Sequence, residues 1–252
     1  MTTPRAKRAE WPRLDHLLVE RGLAESGAKA QALILAGRVR APGLKTVKPG
    51  TRVPWDQPVE LTETLRYVSR GGEKLEGALR DLKIDVHGRA CLDVGASTGG
   101  FTDCLLQHGA QKVLAVDVGH GQLHWKLRND PRVTGREGTH ALRLTPEDLT
   151  DFSPDLVTVD VSFISLEKIL PHLSVLLREG TKCLALVKPQ FEAGPKCAPK
   201  GVVRDEKVRT EIIERLKGLL PGWGFSLKSE TPAALKGPKG NQEHFLYFIK
   251  DS

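Results

Sequence analysis

The fold of this 252-residue chain is decided by the stretch Ala90-Cys-Leu-Asp-Val-Gly-Ala-Ser-Thr-Gly-Gly-Phe101. Residues Ala90–Val94 are typical of a short buried strand, and a helical pattern over Gly100–His108 follows the glycines. Glycines at a strand-to-helix turn let the backbone approach a ligand closely, and a helix N-terminus favours negative groups. The spacing matches neither GxGxxG nor a P-loop. The stretch therefore predicts either a ligand-binding turn of an α/β fold or an ordinary glycine-rich turn.

Short apolar strands alternate with helical patterns over residues 67–252. The predicted strands are Ala90–Val94, Lys112–Asp117, Leu156–Asp160, Lys182–Lys188 and His244–Lys250. The predicted helices are Gly72–Leu82, Gly100–His108, Gly121–Asn129, Leu166–Leu177 and Asp205–Leu220. This alternation favours the α/β class, with a mostly parallel, Rossmann-like sheet that helices cover on both faces.

Asp117 ends the second of these strands, 22 residues beyond Gly95. A carboxylate at that position can accept both hydroxyls of a ribose, as in doubly wound nucleoside sites. The alternative is a strand-end aspartate that caps a helix. Glu137, Thr139 and His140 follow a further strand, and they either line a base pocket or form a surface turn. The aspartate in register with the glycine-rich turn favours a ligand that contains a nucleoside.

The basic charge of the chain is concentrated near its start. The chain has 38 Lys and Arg residues and 31 Asp and Glu residues. Residues 1–66 hold 12 of the basic and 7 of the acidic residues, which leaves 26 basic and 24 acidic residues for residues 67–252. The front pattern predicts two helices and two short strands, at Arg13–Gly22, Gly27–Ala36, Arg38–Ala41 and Val59–Leu61. We therefore expect a small basic module over residues 11–66 that binds a polyanion, or one whose basic surface has no partner.

Several classes of site and location are disfavoured by what the sequence contains. The four cysteines form no CxxC pair or zinc spacing, and no His/Cys/Asp cluster suits a metal, so no metal is expected. No apolar segment follows the basic first residues as in a signal peptide, and no run approaches the ~20 residues that span a membrane. We expect a cytoplasmic protein without stable membrane association. The sequence carries no signal for its oligomeric state.

Four ionisable residues stand at or beside the predicted strand ends. Asp160 and Lys188 end two apolar strands, so they are expected at the sheet edge where open α/β folds bind ligands. Lys74 lies in the helix before Ala90–Val94, and Glu243 directly precedes the last strand. Asp160 and Lys188 fit either a structural ion pair or a catalytic pair. Lys74 and Glu243 taken alone fit solvated surface residues.

The motif DVGASTGGF resembles motif I of S-adenosylmethionine-dependent methyltransferases. That resemblance implies S-adenosyl-L-methionine as the cofactor, with Asp93 as the first acid of the motif. It implies that Gly95, Gly99 and the backbone around Thr98–Phe101 hold the amino-acid end, and that Asp117 holds the ribose. The cofactor-binding residues it implies are Asp93, Gly95, Ser97, Thr98, Gly99, Gly100, Phe101 and Asp117.

In chain order, Lys74, Asp160, Lys188 and Glu243 resemble the Lys-Asp-Lys-Glu tetrad of FtsJ/RrmJ-like ribose 2′-O-methyltransferases. A ribose hydroxyl is a poor nucleophile, so the enzyme must remove or polarise its proton and align the oxygen for attack. Neutral Lys188 is expected to act as the base, because the charge of Lys74 disfavours a second positive charge beside it. Asp160 and Glu243 are expected to hold the lysines and the hydroxyl in place.

The front module resembles the S4-like RNA-binding domain. The resemblance rests on Arg13-Leu-Asp-His-Leu-Leu-Val-Glu-Arg-Gly-Leu-Ala-Glu-Ser26, Ala30-Gln-Ala-Leu-Ile34 and Ala36-Gly-Arg-Val39. It implies that Arg13, Lys29, Arg38 and Arg40 face RNA phosphates. Gly27 stands where an arginine usually follows the serine, and Ala41-Pro-Gly replaces the usual Val-Asn-Gly turn. We therefore expect weaker contact at the second helix, with readout of phosphates and shape rather than base stacking.

The order of all these motifs resembles the TlyA family, whose members are described both as hemolysins and as ribosomal RNA 2′-O-ribose methyltransferases. The motifs behind the S4-like part are YVSRGG-KLE, DVGASTGGF, VDVSFISL, VKPQFEAG and KGPKGNQE. The resemblance implies cytidine 2′-O-methylation, with ribosomal RNA or ribosomal subunits as partner. The alternatives are a membrane-active hemolysin, an RNA-binding protein with an inactive methyltransferase fold, and a small-molecule methyltransferase. A hemolysin lacks support because no membrane-spanning segment is present, and small-molecule methylation leaves the front module without a purpose.

Overall fold

The computed structural model describes residues 11–35, 38–44, 46–61, 66–194, 197–237 and 239–252. The chain divides into two compact units, Met1–Thr64 and Leu65–Ser252. The described part of the first unit contains two helices and one antiparallel strand pair, namely α1 (Leu14–Glu20), α2 (Gly27–Leu35), β1 (Val39–Arg40) and β2 (Glu60–Leu61). Helix α1 and the two strands are each one to three residues shorter than predicted. The predicted end of the second helix, at Ala36, lies outside the described residues.

The core of the first unit follows the helical spacing of its leucines. Leu14, Leu17 and Leu18 are buried, and they belong to one cluster with Ile34 of α2 and Val53. Positions that repeat every three or four residues share one face of a helix, so α1 can bury this face against α2. The predicted apolar pattern of the first helix is confirmed.

The second unit is built on a seven-stranded sheet in the order β5-β4-β3-β6-β7-β9-β8. Its strands are β3 (Ala90–Val94), β4 (Lys112–Val116), β5 (Val133–Arg136), β6 (Leu156–Val159), β7 (Lys182–Val187), β8 (Phe225–Pro232) and β9 (His244–Lys250). Strands β3 to β7 run parallel, whereas β9 is antiparallel to both β7 and β8. The chain moves outward from β3 to β4 and later returns to β6 on the other side of β3. Ligands of open α/β sheets bind at such a reversal, above the carboxyl ends of the strands.

Helices cover both faces of this sheet, so the α/β class with a mostly parallel sheet is confirmed. They are α3 (Arg70–Asp81), α4 (Gly100–Gln107), α5 (Trp125–Arg128), α6 (Pro146–Leu149), α7 (Leu166–Leu176), α8 (Pro189–Glu192) and α9 (Glu206–Leu219). Alternate residues of a strand face opposite ways. In β3, Cys91 packs in the cluster that contains α3 and α4, whereas Leu92 packs in the cluster that contains α7 and α9.

Several elements differ from the prediction, and the four-residue helices α6 and α8 are among those that were not expected. The helix expected over Gly121–Asn129 is present only as α5, because the backbone nitrogens of Gln122 and Leu123 donate to the Glu137 carboxylate instead of to helical carbonyls. Strand β8 was not expected, because its sequence FSLKSETP is largely polar; it is an edge strand with a register shift between Leu227 and Ser229. Among the described residues, no helix has the length and apolarity needed to cross a bilayer.

Candidate active site

The turn between β3 and α4 passes directly over the backbone of Asp160. Gly95 has φ +89°, and a Cβ at this position would lie 2.7 Å from the Asp160 carbonyl oxygen. The backbone nitrogens of Gly95 and Ala96 both donate to the carbonyl of Val116. Glycine is therefore required here, because a side chain would separate the turn from the end of β6.

The second half of the turn packs against α5. Gly99 has φ +94°, and a Cβ there would overlap the Leu127 side chain at 2.2 Å. Gly99 does not line either of the two cavities described below, so its place in the motif is explained by packing.

Asp93 is fully buried beneath the turn. Its Oδ2 accepts a hydrogen bond from Thr102 Oγ1 at 2.7 Å, and its Oδ1 accepts one from Thr158 Oγ1 at 3.0 Å. Burial raises the pKa of this carboxyl group to about 6. Asp93 lines neither cavity, so the structure does not support the direct cofactor contact expected from the motif. It instead joins α4 to β6 and thereby positions the turn.

Two adjoining cavities open at this edge of the sheet. The first has a volume of about 720 Å³, and the turn contributes Gly95, Ser97, Thr98, Gly100 and Phe101 to its wall. The second has a volume of about 1060 Å³. The residues that line both cavities are Gly95, Ser97, Asp160, Ser162, Phe163, Gln190 and Phe191. A ligand that crosses this shared wall would contact the turn and the end of β6 at once.

Asp117 lies on the wall of the second cavity, directly after β4. Its Oδ2 accepts a hydrogen bond from Ser97 N at 2.9 Å, and its Oδ1 accepts one from Gly119 N at 2.7 Å. Each carboxylate oxygen has a further acceptor site available for a ligand hydroxyl. The carboxylate therefore holds the turn by its backbone while it faces the cavity.

Of the three residues considered for a base pocket, the structure brings two to the second cavity. Thr139 and His140 line it, whereas Glu137 does not. Glu137 accepts backbone hydrogen bonds from Leu123 N and Gln122 N, and these bonds hold its pKa below the usual range.

Lys74 and Glu243 form a buried ion pair on the wall of the first cavity. Lys74 Nζ lies 2.5 Å from Glu243 Oε2, and the two residues are 8% and 1% exposed. Lys74 belongs to α3, whose N-cap Ser69 accepts a hydrogen bond from Gly71 N. The two residues are 169 positions apart in sequence. The alternative that Lys74 and Glu243 are solvated surface residues is therefore wrong.

Lys188 and Asp160 form a second ion pair on the same wall. Lys188 Nζ lies 2.6 Å from Asp160 Oδ1. The ammonium group also donates to Ser162 Oγ at 2.8 Å. Strands β6 and β7 are neighbours that end at the same edge, which explains why residues 28 positions apart meet here.

The four predicted catalytic residues thus meet around one cavity, but in a different arrangement from the one expected. From the sequence, the charge of Lys74 is expected to act directly on Lys188. In the described part of the chain, each lysine instead contacts a carboxylate, Glu243 for Lys74 and Asp160 for Lys188. The four formal charges therefore cancel in pairs.

Gln190 and Glu192, which follow Lys188, are site residues that the sequence pattern did not indicate. Gln190 Oε1 is buried, lines both cavities and accepts no hydrogen bond from the residues that the structure describes. Glu192 accepts hydrogen bonds from Ser165 Oγ at 2.5 Å and Leu166 N at 2.8 Å, and burial raises its pKa. It therefore caps α7 from α8 and joins the segment after Asp160 to the segment after Lys188. Residues in a four-residue helix show no periodicity that could have indicated these contacts.

Phe163 is an exposed aromatic residue at the junction of the two cavities. It is 91% exposed, has φ +65°, and its ring centroid lies 5.0 Å from that of Phe191. Its ring is therefore accessible from both cavities.

The predicted RNA contacts of the first unit differ in their surroundings. Arg13 donates from Nε and Nη2 to the Asp15 carboxylate at 3.0 and 2.7 Å, and this contact lowers the pKa of Asp15. Lys29 and Arg40 are exposed, and Arg38 is half-buried. Arg13 is therefore held in one orientation, with its side chain still 52% exposed.

Comparison with known proteins agrees with this geometry. The model of the FtsJ-like methyltransferase family matches residues 67–250. The 16S/23S rRNA (cytidine-2′-O)-methyltransferase TlyA of Mycobacterium tuberculosis is 47% identical over 93% of this chain and 88% of that protein. Hemolysin A of Brachyspira hyodysenteriae is 43% identical over 94% of this chain and 99% of that protein. The solved structure of a "putative hemolysin" from Streptococcus thermophilus is 41% identical, has a TM-score of 0.75, and covers 96% of this chain and 89% of that one. The chain therefore belongs to the FtsJ-like methyltransferases and, within them, to the family that includes TlyA and hemolysin A.

Proposed function

We propose that this protein transfers a methyl group from S-adenosyl-L-methionine to the 2′-hydroxyl of a cytidine in ribosomal RNA. The observation that carries the proposal is the meeting of two ion pairs, Lys74–Glu243 and Lys188–Asp160, around a single cavity beside the β3–α4 turn. The substrate class follows from the name of the 47% identical relative, an rRNA (cytidine-2′-O)-methyltransferase.

The residues around the two cavities fit the proposed cofactor. Asp117 would accept from the ribose hydroxyls in the second cavity, with Thr139 and His140 nearby for the base. The buried, unpartnered Gln190 Oε1 is an acceptor that the ammonium group of the cofactor would satisfy. The turn at Ser97–Phe101 would hold the amino-acid end at the junction with the first cavity. When bound, S-adenosyl-L-methionine supplies a methyl group that is already activated by its sulfonium.

The chain would supply the proton acceptor and the alignment. In our proposal, the Lys188 ammonium first releases its proton to solvent. The neutral amine would then accept the proton of the 2′-hydroxyl while the oxygen takes the methyl group, the methyl–sulfur bond breaks and S-adenosylhomocysteine leaves. The proton then passes from Nζ to solvent, which restores the amine for the next cycle. Asp160 and Ser162 already contact Nζ and would fix its direction. Positioning of this kind is worth several kcal/mol of barrier in general.

Lys74 and Glu243 would hold the opposite side of the ribose. Because both are buried and paired, their rotamers are restricted and their polar atoms can be presented in one geometry. The exposed Phe163 at the cavity junction would offer a stacking surface to the target base, since unstacked RNA bases commonly stack on aromatic side chains.

Residues 11–66 would act as an S4-like RNA-binding domain that docks the substrate, and residues 67–252 as the methyltransferase domain. Within the first, Arg13, Lys29, Arg38 and Arg40 remain the proposed phosphate contacts. A protein with this substrate would work in the cytoplasm.

A membrane-active function is the second candidate, because one 43% identical relative is called hemolysin A. Purified protein would then lyse erythrocytes in a dose-dependent manner. We expect no lysis at concentrations that give complete methyl transfer, and lysis by a Lys188→Ala variant without any transfer would favour this candidate.

The deciding experiment is incubation of unmodified ribosomal subunits with the full chain and labelled methyl donor, followed by mass spectrometry of ribose-methylated nucleotides. We expect label at a small number of cytidine 2′-oxygens. Subunits already treated with enzyme and unlabelled donor are the matched control and should take up no label. Label on a base, or none on any RNA, would contradict the proposal.

A further inference from the structure

The wall of the first cavity carries more positive charge than the tetrad accounts for. Among the residues that the structure describes, the charged ones that line it are Arg70, Lys74, Asp160, Lys188, Lys236, Lys239 and Glu243, which is a formal excess of +3. The two ion pairs of the tetrad cancel. The excess therefore resides on Arg70, Lys236 and Lys239.

These three cations are not neutralised by other side chains. In the part of the chain that the structure describes, none of them forms an ion pair with a carboxylate. Arg70 Nη2 instead donates to the Lys236 carbonyl at 3.1 Å. Lys239 Nζ lies over Gly201, where an added Cβ would be 3.2 Å away. Three positive groups left unpaired at the rim of one cavity make an anion site by charge.

The backbone around these residues is anchored. Gly237 N donates to the carbonyl of Asn241, and the buried Asn241 side chain accepts from Val203 N and donates to the Gly201 carbonyl. The lysines therefore project from a held loop. The N-terminus of α3, with Arg70 and Gly71 on the cavity wall, adds its partial positive charge to the same side.

The proposed cofactor does not explain this excess. S-adenosyl-L-methionine carries a sulfonium, an ammonium and one carboxylate, so a cationic wall would repel its net charge. A target ribose within RNA is flanked on both sides by phosphodiesters, each with one negative charge. We propose that Arg70, Lys236 and Lys239 bind the phosphates next to the target ribose, an inference that rests on the proposed function of the tetrad.

The test uses the full chain and a Lys236→Gln/Lys239→Gln double variant, with ribosomal RNA transcribed in vitro as the probe. Equilibrium affinity is measured across a salt series without methyl donor. The control is Lys207→Gln/Lys228→Gln, which removes the same charge from two exposed lysines that line neither cavity. Affinity for S-adenosylhomocysteine and the thermal midpoint are measured for each.

We expect the double variant to reduce the slope of log affinity against log salt by about two, one for each lost phosphate contact. Its RNA affinity should fall by about tenfold or more at low salt, with cofactor affinity unchanged. A slope equal to that of the control would overturn the phosphate assignment, and so would a loss confined to cofactor affinity. A wild-type chain that binds RNA with the steep slope yet transfers no methyl group would overturn the proposed function and leave the phosphate site standing.

Discussion

Lys188 Nζ and Asp160 Oδ1 lie 2.6 Å apart at the carboxyl ends of two neighbouring parallel strands. Each of these residues directly follows its strand, so their side chains can reach over the sheet edge toward the cavity. The pair is bordered by Ser162 on one side and by the β3–α4 turn on the other. Its place at the reversal of the sheet is the position where α/β enzymes assemble their sites.

Replacement of Lys188 by alanine should abolish methyl transfer. Loss of a general base typically lowers the rate by about 10²- to 10⁴-fold, and we expect binding of S-adenosylhomocysteine to change by less than about threefold. Lys182→Ala, at the other end of the same strand, is the control and should transfer normally. Substantial single-turnover activity in Lys188→Ala would remove this residue from the role of base.

Substitutions in the Lys74–Glu243 pair should affect stability and activity differently. Glu243→Ala leaves a buried ammonium without a partner, which should lower the free energy of unfolding by about 3–5 kcal/mol. Lys74→Met/Glu243→Met removes both charges and should recover most of that loss while remaining inactive. Urea unfolding and transfer assays measure the two effects. Asp81→Ala breaks the exposed Arg80–Asp81 pair and should cost less than about 1 kcal/mol; an equal loss in Glu243→Ala would show that the buried pair has no special role.

Asp117→Ala should weaken cofactor binding. Loss of hydrogen bonds to a charged acceptor is worth about 1.5–3 kcal/mol, or roughly 10- to 100-fold in affinity. Asp117→Asn keeps one acceptor oxygen, so its cofactor affinity should lie between those of wild type and Asp117→Ala. Asp151→Ala, at an exposed position, should have the cofactor affinity of wild type. Calorimetry with S-adenosylhomocysteine measures this series, with a thermal melt to confirm that the turn held by Asp117 is intact. Unchanged affinity in Asp117→Ala would contradict the ribose assignment.

Asp93 should make stability fall as pH rises from about 4 to about 6. Its folded pKa of about 6 lies above the ordinary value of 3.8, so within this window the folded chain holds a proton that the unfolded chain has released. Stability then decreases with increasing pH, by about 2–3 kcal/mol from this group across the window.

Asp93→Asn removes the titrating group, so the difference in unfolding free energy between wild type and variant should shift by that amount between pH 4 and pH 7. Because Asp93 lines neither cavity, the variant should keep cofactor affinity within about threefold. A pH-independent difference would show that the carboxyl is not desolvated, and a large loss of affinity in a normally folded variant would restore Asp93 as a direct contact.

Local pattern was sufficient to predict the architecture and the identity of most candidate site residues. The apolar runs of β3, β4, β6 and β7 are expected from the sequence because buried parallel strands need apolar side chains on both faces. The antiparallel strand β9 carries a similar run because it lies inside the sheet, between β7 and β8. The polar edge strand β8 is not expected from the sequence, because it lacks that requirement. Asp117, Asp160 and Lys188 could be found because a charged residue directly after such a run must lie at the sheet edge.

Which atoms those residues meet was decided only by the tertiary structure. The order of the sheet places β9 beside β7 and brings Glu243 to Lys74 across 169 residues, so that each lysine faces a carboxylate rather than the other lysine. Glu192 likewise accepts a hydrogen bond from the start of α7, which lies in a distant segment of the chain. The Asp93 carboxylate is held below the turn by hydrogen bonds from two threonines of different elements. Strand and helix periodicity reflects interactions between near neighbours in the chain, whereas charge pairing and burial depend on contacts between distant segments.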